Sequence, residues 1–284
     1  MVSQVPDNPL GEAAIGHLRR YGVSTDGVQR REGRMGLYFL SAGSGLRPSS
    51  IVYDREGSSF ALACKDDFDW DRLLDGASLL HLSGITPALG RRSAEAALAA
   101  AETARAHGMK VSFDANYRPQ LWQRWNTDPQ PILSDIVGKA DIFFANHRDI
   151  SLLLGRKFSG DGEDRRREAA EAVFASFPGL QLIASTARHV EHSDSHRIAA
   201  RIDTRHGSFQ TEEVVMGTIV DRIGTGDAFA AGVLHGVLSG AAERESARYG
   251  LALCCLKHGL PGDASLFTQA DIDSFLAGER DVRR

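Results

Sequence analysis

A three-layer α/β/α sandwich, with helices on both faces of a mostly parallel central sheet and a small β lid, is predicted by three features of this 284-residue chain. From residue 78 onward, short apolar runs alternate with helical stretches, the pattern of repeated βα units. Residues 34–66 differ: two β-rich segments are split by Gly43, Gly45, Pro48 and Gly57, which suits a small antiparallel patch serving as a lid or an interface sheet. Near the carboxyl end, a Gly-Thr-Gly bend runs directly into an apolar helix. No internal repeat, low-complexity tract or long Pro/Ser linker interrupts the chain. One domain spanning 1–284, with the lid inserted at about 34–66, is therefore expected.

The elements follow in order. Asp7-Asn8-Pro9-Leu10-Gly11 is turn chemistry, and Glu12 to Tyr21 places Ala14, Ile15 and Leu18 on one helical face. Met35–Ala42 and Ser50–Ala63 are read as the lid strands, and Ser78–Leu82 as a buried strand. Ala94–His107 is a strong alanine-rich helix that Gly108 terminates. Strands at Lys110–Asp114, Asp141–Ala145 and Leu180–Ser185 alternate with helices through Leu154 and over Ala169–Phe177. Arg197–Asp203 and Ser208–Met216 complete the strands, and helices over 226–238, 243–258 and 268–277 complete the chain. In sheets of this kind, ligands bind beyond the carboxyl ends of the strands, which directs attention to Asn116, Arg118, Asn146, Ser185 and the 221–227 loop.

Composition removes several classes. A formal charge of −4, from 33 Lys+Arg against 37 Asp+Glu, argues against a nucleic-acid-coating protein or a polybasic membrane binder. No run approaches the length of a membrane span, and the opening residues lack a signal-peptide pattern. Three cysteines, Cys64 and the adjacent Cys254-Cys255, make no disulfide framework or zinc ribbon. These features lead us to expect a cytoplasmic protein without nucleic-acid or membrane partners. His189, His192 and His196 lack companions at metal-ligand spacing and read as a solvated loop. Cys254-Cys255 reads as core packing, and the mixed-charge run 164–168 as a solvated helix face.

The chemistry concentrates in Val220-Asp221-Arg222-Ile223-Gly224-Thr225-Gly226-Asp227-Ala228-Phe229. Gly224 and Gly226 allow the N–H groups of a helix N-terminus to approach an anion, and Asp227 falls in the first helical turn. An anion hole beside a base is what phosphoryl transfer to a hydroxyl requires. Gly-x-Gly-Asp alone is equally the start of an ordinary capped helix.

The whole string, Asp-x-x-Gly-x-Gly-Asp-x-Phe followed by Ala-Gly, resembles the carboxyl-terminal motif of the ribokinase-like sugar kinases, the PfkB family. Leu80-His81-Leu82-Ser83-Gly84-Ile85-Thr86-Pro87-Ala88-Leu89 and Phe113-Asp114-Ala115-Asn116-Tyr117-Arg118-Pro119-Gln120-Leu121-Trp122 resemble its 2-keto-3-deoxygluconate kinase branch, as does the 256–263 tail. The resemblance runs from about residue 8 to the carboxyl terminus. It implies a ribokinase-like fold and phosphorylation of a sugar acid by ATP with Mg²⁺, with Asp227 as base and the Gly224, Thr225 and Gly226 N–H groups as anion hole. It also implies sugar-acid contacts at Tyr38, Tyr53, Arg55, Ile85 and Arg118. Tyr53 and Arg55, two apart on a strand, share a face; Arg118 at a strand end is suited to a carboxylate. A salt bridge for Arg118 and aromatic packing for the tyrosines are the alternatives.

Asn146 and Asp149 stand where the family has Asn-x-x-Glu near Mg²⁺, and a helix-start role for Asp149 is the alternative. Nucleotide contacts are implied at Ser185, Gly224 and Gly226, and at Arg188 in place of a frequent family lysine. The family normally opens with a strand and a Gly-Gly-x-x-x-Asn-x-Ala stretch. This chain begins near where that region ends, so a sheet edge is expected to be left exposed. Other readings are a PfkB-type kinase for fructose, ribose or a nucleoside, and a non-catalytic sugar- or nucleotide-binding protein on the kinase scaffold. A dinucleotide fingerprint would follow the first strand, not sit near the end. A homodimer through the lid is expected from its exposed edges.

Overall fold

The structure, a computed structural model, describes residues 1–193 and 195–279. Val2–Pro6 (β1), Pro9–Arg20 (α1) and Gly27–Arg31 (β2) form a small unit in which β1 and β2 pair in parallel. Asn8 starts α1 by accepting hydrogen bonds from the Leu10 and Gly11 N–H groups, with Pro9 supplying a fixed φ at the first helical position. Leu37–Ser41 (β3) and Ser50–Asp54 (β4) pair antiparallel as the lid, Tyr38 opposite Tyr53. The expected second lid strand ran to Ala63, but Ser58 caps a single helical turn there, Ser59–Leu62 (α2). Trp70–Leu74 (α3) leads into the sheet.

Leu79–Ser83 (β5), Ile85–Ala88 (α4), Arg91–Ala106 (α5), Lys110–Asp114 (β6), Pro119–Arg124 (α6), Pro129–Val137 (α7) and Ile142–Phe144 (β7) follow. After them come His147–Leu154 (α8), Glu163–Ser176 (α9), Leu182–His192 (β8), Ser195–Thr204 (β9), Ser208–Gln210 (β10) and Val214–Gly217 (β11). Thr225–Leu238 (α10), Glu243–His258 (α11) and Gln269–Leu276 (α12) end the chain. Strands β5 to β8 are parallel neighbours; β9 returns antiparallel to β8, and β10 and β11 both pair with β9. Strand β5 ends the sheet, pairing with β6 alone among the described strands.

Alternation along the strands sorts two cores onto the two faces. Val111, Phe113, Phe143 and Ile183 pack with Leu133, Ile136, Ile150, Val173 and Phe174. Ile142, Phe144, Leu182 and Ala184 point the other way, onto Phe229 and Val233 of α10 and Leu251, Cys254 and Cys255 of α11. The cysteines are thus core residues, as expected, and burial pushes the Cys254 thiol up to about 12.

One expectation is corrected here. The histidine-bearing segment is not a solvated loop: it forms the outer part of the β8–β9 hairpin, where His189 pairs with Arg197 and Val190 with His196. His196 is fully buried. Polar strands of this kind lack the apolar run that marks a buried strand.

Candidate active site

The parallel strands end at a cleft of about 1170 Å³, walled by the lid, the β5, β6 and β7 ends, the β8–β9 hairpin and the 219–227 loop. Its centre is the start of α10. Gly224 caps that helix at φ 74°, and a Cβ there would lie 2.0 Å from the Asp263 carbonyl oxygen. Only glycine combines that backbone with that approach. The Asp221 carboxylate staples the loop, accepting from the Ile223 N–H at 2.9 Å and the Gly262 N–H at 2.9 Å. Val220 and Asp221 donate their N–H groups to the His258 carbonyl. Thr225 Oγ1 donates to the Arg222 carbonyl at 2.9 Å.

The loop is therefore held by its own hydrogen bonds. It leaves the N–H groups of Gly224, Gly226 and Asp227 without an acceptor among the described residues; that of Thr225 makes only a 3.5 Å contact with the Arg222 carbonyl. Asp227, in the first turn, is exposed to the cleft.

The half of the cleft under the lid is cationic and aromatic. Tyr53 Oη accepts from Arg118 Nε at 3.2 Å, and Arg118 Nη1 donates to the Tyr117 carbonyl at 3.2 Å. The Arg55 guanidinium lies 5.1 Å from the Tyr53 ring centroid, a cation–π contact. Neither arginine has a carboxylate partner among the described residues. Burial first, and then the like charge of Arg118, lower the Arg55 pKa. Tyr38 joins them from the opposite lid strand, its hydroxyl pKa raised by burial and then by Asp263 and Asp221.

Two strand-end loops meet beneath these side chains. Gly84 donates its N–H to the Asp114 carbonyl at 2.7 Å, and a Cβ on Gly84 would lie 1.9 Å from the Ala115 carbonyl oxygen. Asn116, at φ 37°, donates its side-chain amide to Ser83 Oγ at 2.9 Å and its N–H to Asp114 Oδ1 at 3.0 Å. This lacing holds Ile85 and Arg118 on one rim.

Burial, then the charge of Asp227, push the Asp114 carboxyl up to about 7, and Asp149 adds to that rise. Asp149 is itself raised by burial, while its carboxylate accepts the Asn146 N–H at 2.9 Å. Asn146 Oδ1 in turn accepts the Arg148 N–H at 2.8 Å, completing a capping box on α8. Asn146 lines the cleft; Asp149 lies behind it as a helix-start carboxylate. No group of three or more His, Cys, Asp or Glu among the described residues is placed to hold an ion directly. A buried Asp114 carboxyl raised by the charges of Asp227 and Asp149 nevertheless fits a divalent cation held largely by water and phosphate.

In the remaining half, Ser185 and Arg188 line the cleft from β8. Thus every expected site residue except Asp149 borders one cavity. Sequence reasoning passed over Asp114 and Ser83, and pointed to Asn116 and the 221–227 loop without giving Asn116, Asp221 or Arg222 a role. Asp-x-Asn at a strand end, the Asp that opens the glycine motif, and the arginine that follows it were the available signals.

The chain is a sugar kinase of the ribokinase-like fold. It belongs to the pfkB family of carbohydrate kinases, whose model matches residues 1–268. It is 30% identical to 2-dehydro-3-deoxygalactonokinase of Haloferax volcanii over 98% of this chain and 81% of that one. It is 29% identical to 2-dehydro-3-deoxygluconokinase of Bacillus subtilis over 100% of this chain and 82% of that one. The crystal structure of 2-dehydro-3-deoxygluconokinase from Thermotoga maritima superposes with a TM-score of 0.91 at 35% identity, covering 98% of this chain and 84% of that one. Among the described residues, no helix is long and apolar enough to cross a membrane.

Proposed function

We propose that this kinase phosphorylates 2-keto-3-deoxy-D-gluconate at its C6 hydroxyl, using ATP and Mg²⁺, to give the 6-phosphate. One observation carries the choice of a sugar acid: Arg55 and Arg118 lie together under the lid with no carboxylate partner among the described residues. Two guanidiniums without an ion-paired carboxylate, beside two tyrosine hydroxyls, suit a ligand that brings its own carboxylate and several hydroxyls. A neutral sugar supplies no charge to balance them.

In this reading Arg55 and Arg118 hold the acid, Tyr38 and Tyr53 and the Ile85 backbone orient the hydroxyl chain, and the far end of the substrate meets Asp227. Asp227 accepts the hydroxyl proton as the oxygen attacks the terminal phosphorus. The bond from that phosphorus to the bridging oxygen breaks, leaving the nucleoside diphosphate. The Gly224, Thr225 and Gly226 N–H groups, held by the Asp221 staple, receive the charge on the transferring group. Ser185 and Arg188 border the nucleotide. Mg²⁺, when bound, neutralises phosphate charge; Asn146, which borders the cleft, would hold its waters, with Asp149 fixing Asn146 from behind through its N–H.

A substrate panel tests the reading: initial rates with ketodeoxygluconate, its galactonate counterpart, fructose, ribose and adenosine, with the product's phosphate position read by phosphorus NMR. The galactonate compound belongs in the panel because the Haloferax relative is named for it. A kcat/KM higher for any neutral substrate than for the sugar acids would overturn the assignment.

The same reading includes a homodimer through the outer lid face. Alternation sends Leu37, Phe39 and Val52 away from the cleft, where they are 40%, 57% and 62% exposed. A two-stranded sheet is marginal alone, and a second copy would cover this apolar face. Light scattering should give a dimer for the wild type and a monomer for Phe39→Glu; a monomeric wild type excludes it.

A further inference from the structure

Lys257, in the last turn of α11, is 0% exposed and is not ion-paired with any described residue. Its Nζ donates to the Leu260 carbonyl at 2.8 Å, and the Leu260 N–H donates back to the Lys257 carbonyl at 3.1 Å. An ammonium has three donors, and this one finds a single acceptor among the described residues. Burial lowers its pKa, and the charges of Asp221 and then Asp263 oppose that fall. A lysine at a helix end ordinarily reaches the last carbonyls from solvent, at little cost. Sealed in the interior without an ion pair, it costs more than one hydrogen bond returns. Stability therefore does not account for it.

The turn that Lys257 clasps carries the glycine loop. Gly262 donates its N–H to the Asp221 carboxylate at 2.9 Å. Val220 and Asp221 donate theirs to the carbonyl of His258, the residue after Lys257, at 2.9 and 3.2 Å. Gly224 bends so closely over Asp263 that a Cβ would lie 2.0 Å from its carbonyl oxygen. Backbones stacked this tightly transmit a shift of 260–263 to the N–H groups at 224–227. Lys257 fixes the start of that turn, and it does not itself border the cleft.

We propose that Lys257 is a positioning residue for phosphoryl transfer: its buried ammonium holds the 260–263 turn, and through it the anion hole, without touching either substrate. The effect on turnover rests on the kinase reading above. The hold on the loop does not.

The test compares the full-length wild type with Lys257→Met and Lys257→Arg. Hydrogen exchange reads the amides of Val220, Asp221, Ile223 and Gly262, which the loop's own bonds protect, with the α5 amides as control. Lys257→Met removes the charge and keeps the bulk, so the melting temperature should hold or rise. Exchange at the four loop amides should nevertheless quicken about tenfold or more, with α5 unchanged. In steady state, kcat should fall about a hundredfold, the scale of a misplacement of about 1 Å, with both KM values within about threefold. Lys257→Arg, which keeps a cationic donor, should recover part of both losses.

Unchanged exchange at the loop amides in Lys257→Met overturns the proposal, whatever the turnover. A lower melting temperature with faster exchange everywhere also overturns it, because the lysine then serves stability alone. Loosening of the loop with kcat unchanged overturns the catalytic positioning. If Lys257→Met does not fold, Lys257→Gln, neutral and one atom shorter, is judged by the same readouts. If the wild type does not turn over the sugar acid while the loop loosens in Lys257→Met, the kinase reading falls and the hold on the loop stands.

Discussion

Tyr53 of the lid and Arg118 of the β6–α6 loop, 65 residues apart in the chain, are joined by a hydrogen bond of 3.2 Å from Arg118 Nε to the tyrosine oxygen. The bond docks the lid on the rim of the cleft and turns the guanidinium into it. Tyr53→Phe removes the acceptor and leaves the ring under Arg55. A hydrogen bond to a charged group is worth about 1.5–3 kcal/mol. The KM for the sugar acid should therefore rise about tenfold with kcat changed less than threefold, as steady-state kinetics would show. An unchanged KM would mean the bond does no positioning.

Asp227→Asn removes the proposed base with little change in shape. Turnover should fall by about 10²–10⁴. ATP affinity by calorimetry should stay within about threefold, since the N–H groups around it remain. Near-normal turnover would remove Asp227 from that role.

Gly224 and Gly226 should behave oppositely in thermal unfolding. Alanine at 224 meets both a φ of 74° and the Asp263 oxygen 2.0 Å away, so Gly224→Ala should lose about 2–4 kcal/mol of stability and most activity. A Cβ at 226 meets open space at an ordinary φ. Gly226→Ala should keep or raise the melting temperature, because alanine favours the helix. Equal destabilisation by both would contradict the loop geometry.

Asp114 makes stability fall with pH. Its carboxyl titrates at about 7 in the folded chain against an ordinary 3.8, so the folded state holds the extra proton between those values. Stability is full below about pH 4 and is lost as the pH rises through 7, a difference on the order of 4 kcal/mol. Asp114→Asn, whose amide oxygen still accepts the Asn116 N–H, should be more stable than wild type at pH 8 and similar at pH 4. Parallel melting profiles across that range would exclude the titration.

Much of the fold was legible in the residues. Lys110–Asp114 and Glu243–His258 have the predicted bounds, because an apolar run closed by polar residues and a long helical repeat are strong local signals. The helices at Pro119–Arg124 and Pro129–Val137 were missed, since proline at a first helical position also reads as a turn. The β1 and β2 strands were missed because VSQVP and GVQRR are short and polar. Ser208–Met216 divides into β10 and β11, which pair with separate stretches of β9, a break set by the partner strand.

By itself, the sequence determined the α/β class, the glycine loop with Asp227 behind it, and which residue types would suit a sugar acid and a phosphate. Those are local matters of backbone freedom, periodicity and charge. Only the tertiary structure decided which charges lack partners: Asp149 is committed to a helix cap, whereas Arg55, Arg118, Arg188 and Arg222 border the cleft without an ion pair among the described residues. Whether a charge is free to bind depends on neighbours far along the chain, and folding alone brings those neighbours together.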